Sequence, residues 1–483
     1  MNFKLFAASS LALLALSACK DKDEKEQETA QVTPQVSNYS STENYLKLTP
    51  EFSDVEIFTL LSSEDQLDET PNFVYGSMAD GAGLIRNSDN TYTLINNIEA
   101  DYSVARIKLN KDLQPVSGEY ILNAAATAST AQCSGSLISP EEHGFGPVYL
   151  SGGEWGGSSK GVFLSQVDKN ANTASTGELL NSMGRWSTEN AVAIGKDAYT
   201  DKTVVFIGDD EANNEIPSGQ LGMYVGERGD LYNGKLYGLK VTDANVAFEM
   251  DMVEGQSYNC EFVELTEKGD VALLDAECKA KGVMGFSRLE DIDWRRGSAE
   301  NNREVYFCVT GRKKDGLVDK GTIYGRVYKV ELNDNDPTGA AKITCVLDGD
   351  KTNGKAKMFH SPDNITVTEN YAYIQEDPNG YFDNADKMHT AQIYQYNLNN
   401  GTLKTVLSCD QKKAAEDGVG SEENAWEITG MIDVSEQTGL SNAFMVITQN
   451  HGWNNDAFTD YSANPSPSSN EGSQLYLIKG LER

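Results

Sequence analysis

The chain has 483 residues, with 73 Asp and Glu against 40 Lys and Arg, a formal charge of -33 and 39% hydrophobic residues. That length suits two ordinary domains or one large β architecture, and the apolar share is enough for a core. The acidic balance disfavours nucleic acid and anionic membrane surfaces as partners and suits an exported protein or one holding hard cations, although most of the acids need do no more than keep a surface soluble.

The first element is MNFKLFAASSLALLALSAC, with a basic start at Lys4, an apolar run from Leu11 to Leu16 and small residues before a cysteine. The run is too short to span a bilayer. LSAC resembles a bacterial lipoprotein signal, which implies removal of residues 1–18 and lipidation of Cys19. Residues 19–50 are charged, then polar, without periodicity, and read as a disordered tether. Lys20, where an Asp would resemble an inner-membrane retention signal, favours the outer membrane, facing periplasm or cell surface. Membrane contact is then expected through the lipid alone, with residues 51–483 as one domain and the protein a monomer.

From residue 50 onward the pattern is β. Runs such as TVVFIGDD, EVYFCVTG and AFMVITQN are short, β-branched or aromatic, and bounded by Gly, Asn and Asp. QKKAAEDGV is at most one short helix in a loop. Six segments repeat one design, an apolar strand running into polar and mostly acidic residues: 91–99, 147–154, 203–210, 304–311, 370–377 and 442–451. A second polar segment precedes most of them, as SPDNITVT precedes NYAYIQED. Some start about 56 residues apart (91, 147, 203) and others are wider. Short strands repeated at such spacing indicate a β-propeller, here an all-β, six-bladed, propeller-like fold with insertions between blades. The widest gap holds EFVELTEKGDVALLDAE, read as an inserted hairpin near 255–282. The flanking Cys260 and Cys278 are the best disulfide candidates in an exported chain. Cys308, Cys345 and Cys409 fall in or near strands and need only be buried. On its own residues, Cys133 reads as a disulfide partner or buried thiol.

A propeller sends two strand ends per blade to one mouth of its channel. Asp363 and Glu376 would be one blade's share of a ring, and other blades offer Glu99, Glu154, Glu189, Asp209, Asp210 and Glu290. Carboxylates so gathered repel one another unless cations neutralise them, and oxygen-rich sites suit calcium. For any single residue the preference of Asp and Asn for turns is explanation enough; it explains the parallel placement across blades less well. No Cys-x-x-Cys, His-Glu-x-x-His or Gly-x-Ser-x-Gly motif is present, and the four histidines are scattered, with His360 beside SPDN the nearest to the ring.

GRWSTENAVAI, VVFIGDD, FSRLED, SPDNITV and YIQED, in that order, are similar to the successive motifs of the PhoX family of alkaline phosphatases. CSGSLISP with VYLSGGEW, and LINNIEADYS, resemble its cysteine loop with following strand and its Asn-His-Glu segment. The resemblance runs from about residue 72 to 452. It implies an exported phosphomonoesterase using calcium and iron on a small phosphorylated substrate. It also implies Cys133 as an iron ligand, and Glu189, Glu290 and Asp363 as metal ligands. Glu154, Asp209, Asp210 and Glu376 would be further ligands or their supports. Arg288, two residues from Glu290 and so on one side of a strand with it, would face the phosphate in catalysis, with Arg185 a weaker candidate. A salt bridge to a neighbouring acid is the plainer reading of Arg288. Several positions depart from the family: Thr188 and Ile98 stand where it has His, Gly152 and Gly153 replace Cys-Glu, and no Lys or Arg shortly precedes Cys133. The alternatives are a non-catalytic metal-binding surface propeller and a calcium-dependent lactonase-like hydrolase.

Overall fold

The computed structural model describes residues 30–378 and 387–483. Cys19 and the lipoprotein signal lie outside the described residues. The described chain is a succession of antiparallel meanders. Ala79–Arg86, Tyr92–Ile98, Ser103–Leu109 and Pro115–Leu122 form the first sheet in chain order, and Thr130–Ile138, Val148–Gly156, Gly161–Gln166 and Glu178–Leu179 the second. A nine-stranded sheet contains the third meander, which begins at Thr188–Ala193, and the fourth, which begins at Leu289–Trp294. The fifth begins at Pro362–Val367 and the sixth at Glu427–Asp433.

The first strand of each meander is innermost. These strands contact one another in cyclic order, and Glu427–Asp433 returns to Ala79–Arg86, so the ring is closed as in a propeller. The core lies between neighbouring sheets. Met445, Leu475 and Leu477 pack on Leu84, Leu94 and Ile107 across the sixth and first, and Cys308 and Val327 pack on Ile365 and Ile374 across the fourth and fifth. The ring is locked by strands from the start of the described chain. Glu56–Ser62 pairs with Glu471–Lys479, and Leu46–Leu48 with Leu403–Cys409.

Two expectations are corrected. Residues 30–50 are not a free tether. Leu46 and Tyr45 are buried, Val32 N and Gln35 N donate to Asn90 and Asp112, and Ser40 and Ser41 bond Asp65. Low hydrophobicity overall hid a few apolar anchors whose backbone partners come from distant loops. The insertion is not a hairpin either. Ser257–Leu265 is a strand, but Val271–Lys281 is an α-helix, with Asp270 capping Leu273 N and Gly282 closing it at φ +74°. Ala, Leu, Glu and Lys favour that helix, and its caps are in place. The strand instead joins Lys235–Val241 to Ala341–Asp348 and so stitches the third and fourth meanders into one sheet. Cys260 and Cys278 sit in different cores, both as free thiols.

Candidate metal and phosphate site

One irregularity recurs in every meander. Between the innermost strand and its neighbour the pairing skips, with two inner residues facing one: Thr188 pairs Asp209 but Ala191 pairs Ile207, Leu289 pairs Val309 but Ile292 pairs Phe307, and Pro362 pairs Glu376 but Ile365 pairs Ile374. The same step occurs at Ala79/Ala82, Gln132/Gly135 and Thr429/Ile432. Such bulges re-aim side chains. The first bulge residues are Asp80, Cys133, Glu189, Glu290, Asp363 and Gly430, so five of the strands turn a candidate ligand into the same end of the channel.

These residues meet in three groups, Asp80–Glu99–Cys133, Cys133–Glu154–Glu189 and Glu189–Glu290–Asp363, with donor atoms within 4.8 Å of one another in each. Cys133 belongs to two groups and Glu189 to two, so the groups form a continuous arc. Cys133 Sγ lies 3.0 Å from Glu154 Oε2. Burial, then the neighbouring carboxylates, pushes the Cys133 thiol and the carboxyls of Glu154, Glu189 and Asp363 well above their usual ranges. Burial likewise raises Asp80, although Thr429 donates to it, and Glu99, although Gln449 and Trp155 each donate to it at 2.8 Å. Groups raised in this way hold protons unless a cation takes their place. Carboxylate oxygens in sets of three fit a hard divalent ion, and the two sets with a thiolate fit a softer transition metal.

Arg288 adjoins the arc. Its Nη2 lies 2.8 Å from Asp210 Oδ2 and 2.9 Å from Glu290 Oε1, and its Nε donates to Asp210 at 3.0 Å. It does share a site with Glu290, but not through strand alternation. Arg288 precedes the strand at φ +68°, and Glu290 is turned inward by the bulge. A left-handed arginine is strained, which the paired carboxylates offset.

The bulges also sort the remaining acids. Asp209 and Glu376 are the residues paired before the skip, while Asp210 and Asp377 follow them and, by alternation, face the other way. Asp209 accepts from Ser187 N at 3.0 Å, and Glu376 accepts from His360 N, His389 Nε2 and Tyr394 OH, outside the three groups. Asp377 instead raises Glu290, Asp363 and Glu427 electrostatically. Arg185 donates to the Lys160 carbonyl at 3.1 Å, bracing a turn of the second sheet.

Asp80 and Glu427 were not foreseen. Aligning ADGAGL with PDNITV would have exposed Asp80, but its glycines concealed the strand. His451, ion-paired with Glu471 at 2.9 Å, has its pKa raised; burial opposes this, but Glu471, Asp377 and Glu99 outweigh it. It therefore stands nearer the acids than the sequence indicated. At the departure Gly152, an added Cβ would lie 2.0 Å from the Glu189 carbonyl oxygen, so the backbone of the next blade fills the place of a side chain.

No curated protein matches the sequence. Among solved structures, the chain is similar to the α-L-arabinofuranosidase Arb93A of Fusarium graminearum (11% identity, TM-score 0.36, 86% of this chain and 98% of that one). The AfRom2 CNH domain (10%, 0.35, 89% and 100%) and the Neurospora crassa Pan2 WD40 domain (10%, 0.34, 88% and 98%) are others. Likenesses that faint carry no weight for fold or activity. The family model of the alkaline phosphatase PhoX matches residues 162–450, more than half of the chain, a span that holds Glu189, Asp210, Arg288, Glu290 and Asp363, and the chain therefore belongs to the PhoX family of alkaline phosphatases.

Proposed function

We propose that the acid end of the channel hydrolyses small phosphomonoesters, with calcium at Glu189–Glu290–Asp363 and iron at the groups that include Cys133. The observation that carries this is the arc of three donor groups beside Arg288 in a chain of this family. When bound, the metals supply Lewis-acid charge to the phosphate oxygens and to water. Glu189, shared by two groups, keeps neighbouring donor sets at a fixed separation. Asp210 and Glu290 keep Arg288 charged and aimed, and the two N–H groups of its Nη1, which neither carboxylate engages, are left for the ester oxygens. Transfer of the phosphoryl group to water yields an alcohol and inorganic phosphate. Export as an outer-membrane lipoprotein through Cys19 would bring the site to extracytoplasmic esters, and Cys19→Ser should then lose lipid labelling.

The test is p-nitrophenyl phosphate hydrolysis at alkaline pH by protein loaded with calcium and iron. Activity lost on chelation and restored by both metals is expected. Chelation should also lower Tm, since a ligand at a hundredfold excess over Kd adds about 2.7 kcal/mol to the folded state. A fully metallated protein that hydrolyses no phosphomonoester would overturn the reading in favour of a non-catalytic metal-binding propeller.

A further inference from the structure

Arg288, the side-chain cation placed at the site so far, is already shared by two acids. The turn between Val148–Gly156 and Gly161–Gln166 carries a second cation. Gly153 pairs Gly161, so Glu154 and Lys160 are the next residues at the two ends of this turn. Lys160 Nζ donates to Ser187 Oγ at 2.7 Å, two residues from Glu189. Ser187 O in turn accepts from Asp210 N at 2.8 Å, and Asp210 holds Arg288. Lys160 and Arg288 thus attach to two hydrogen-bonded residues of the third blade, Ser187 and Asp210. Lys160 forms no ion pair among the described residues; its one tether is a neutral hydroxyl, which leaves two N–H donors of a half-buried ammonium unspent. Its carbonyl is held by Arg185, and Ser159 N donates to Thr130 Oγ1 at 3.0 Å, so the turn is braced.

We propose that Lys160 binds the substrate phosphate together with Arg288, with Arg185 positioning its turn instead of touching the ester. This rests on the phosphatase reading of the site, and inorganic phosphate serves as the probe. Calorimetric phosphate titration and competitive inhibition would be measured on Lys160→Met and Lys160→Arg at wild-type metal content. Lys160→Met should raise the phosphate Kd and the ester KM by roughly tenfold to a hundredfold, the loss of one charged contact, with a smaller change in kcat. Lys160→Arg should recover most of the binding. A wild type that binds phosphate in a Lys160-dependent way yet hydrolyses no ester would sink the catalytic reading and leave the Lys160 contact standing. Phosphate binding that is equal in wild type and Lys160→Met, or absent from both, overturns the contact. So does loss of metal from Lys160→Met, which would make the residue structural.

Discussion

The two ends of the channel are built from the same six strands, yet their electrostatics are opposed. At the starts of the inner strands and the adjoining ends of their neighbours, Asp80, Glu99, Glu154, Glu189, Glu290, Asp363 and Glu427 crowd together with Arg288 between Asp210 and Glu290. At the strand ends, a cavity of about 130 Å³ carries two arginines, Arg296 and Arg483, among its acids. Arg296 bonds Asp293 and the carbonyls of Trp294 and Val367 at 2.9 Å, and lies 4.3 Å over the Trp294 ring. Arg483 pairs with Asp433 and with Glu436. Charge paired within the protein is already neutralised, whereas carboxyls crowded without cations in a buried ring either hold protons or take up a cation. The difference teaches where this fold keeps its chemistry.

The largest effect that sharpens the contrast is at Glu189. Glu189→Ala removes a donor common to two groups, and metal content should fall with activity dropping by about a thousandfold or more, as several kcal/mol of metal assistance would require. Elemental analysis beside kcat/KM reads this, and metal retained in full would count against the arc. Arg288→Ala should keep its metals while kcat/KM falls roughly tenfold to a thousandfold, and Arg288→Lys should recover only part because it lacks the planar fork.

The far end should respond in stability alone. Arg296→Met leaves Asp293 and Glu142 without their partner, at a cost of about 2–4 kcal/mol in denaturant unfolding, with metal content and KM unchanged. A loss of metal in that variant would break the division between the ends.

The smallest effect is a pair of pH dependences of opposite sign, at His143 and at Asp291. His143, at the far end, sits between Ser139 N and the Ala193 carbonyl, each 3.0 Å away, and burial lowers its pKa, with Arg296 adding to this and Glu142 opposing it. A lowered histidine contributes stability above its unfolded pKa of 6.5, and that contribution is lost as the pH falls below it. Burial raises Asp291, which follows Glu290 and lines the same cavity as His143, from 3.8 to about 7; its contribution is full below 3.8 and is lost as the pH climbs to 7. Metal-free protein should therefore lose stability through Asp291 on alkalinisation, and His143→Gln should flatten the acid limb alone. Melting curves from pH 4 to 8, with and without metal, separate the two.

What the sequence by itself determined was the repeat. Apolar strands preceded by polar segments follow from local side-chain pattern, and that pattern brought out Glu189, Glu290 and Asp363 as strand-end acids, whereas Cys133 as a ligand came only from the resemblance to the PhoX motifs. Tertiary structure decided which of two adjacent acids faces the channel. Side chains on a strand alternate with period two, so one extra residue in the pairing decides between Asp209 and Asp210 and between Glu376 and Asp377, and that residue is set by a partner strand the local pattern does not encode. The same holds for Leu46–Leu48, whose partner lies some 360 residues away at Leu403–Cys409, and for Lys160, which reaches Ser187 only when the turn of one blade folds onto the next.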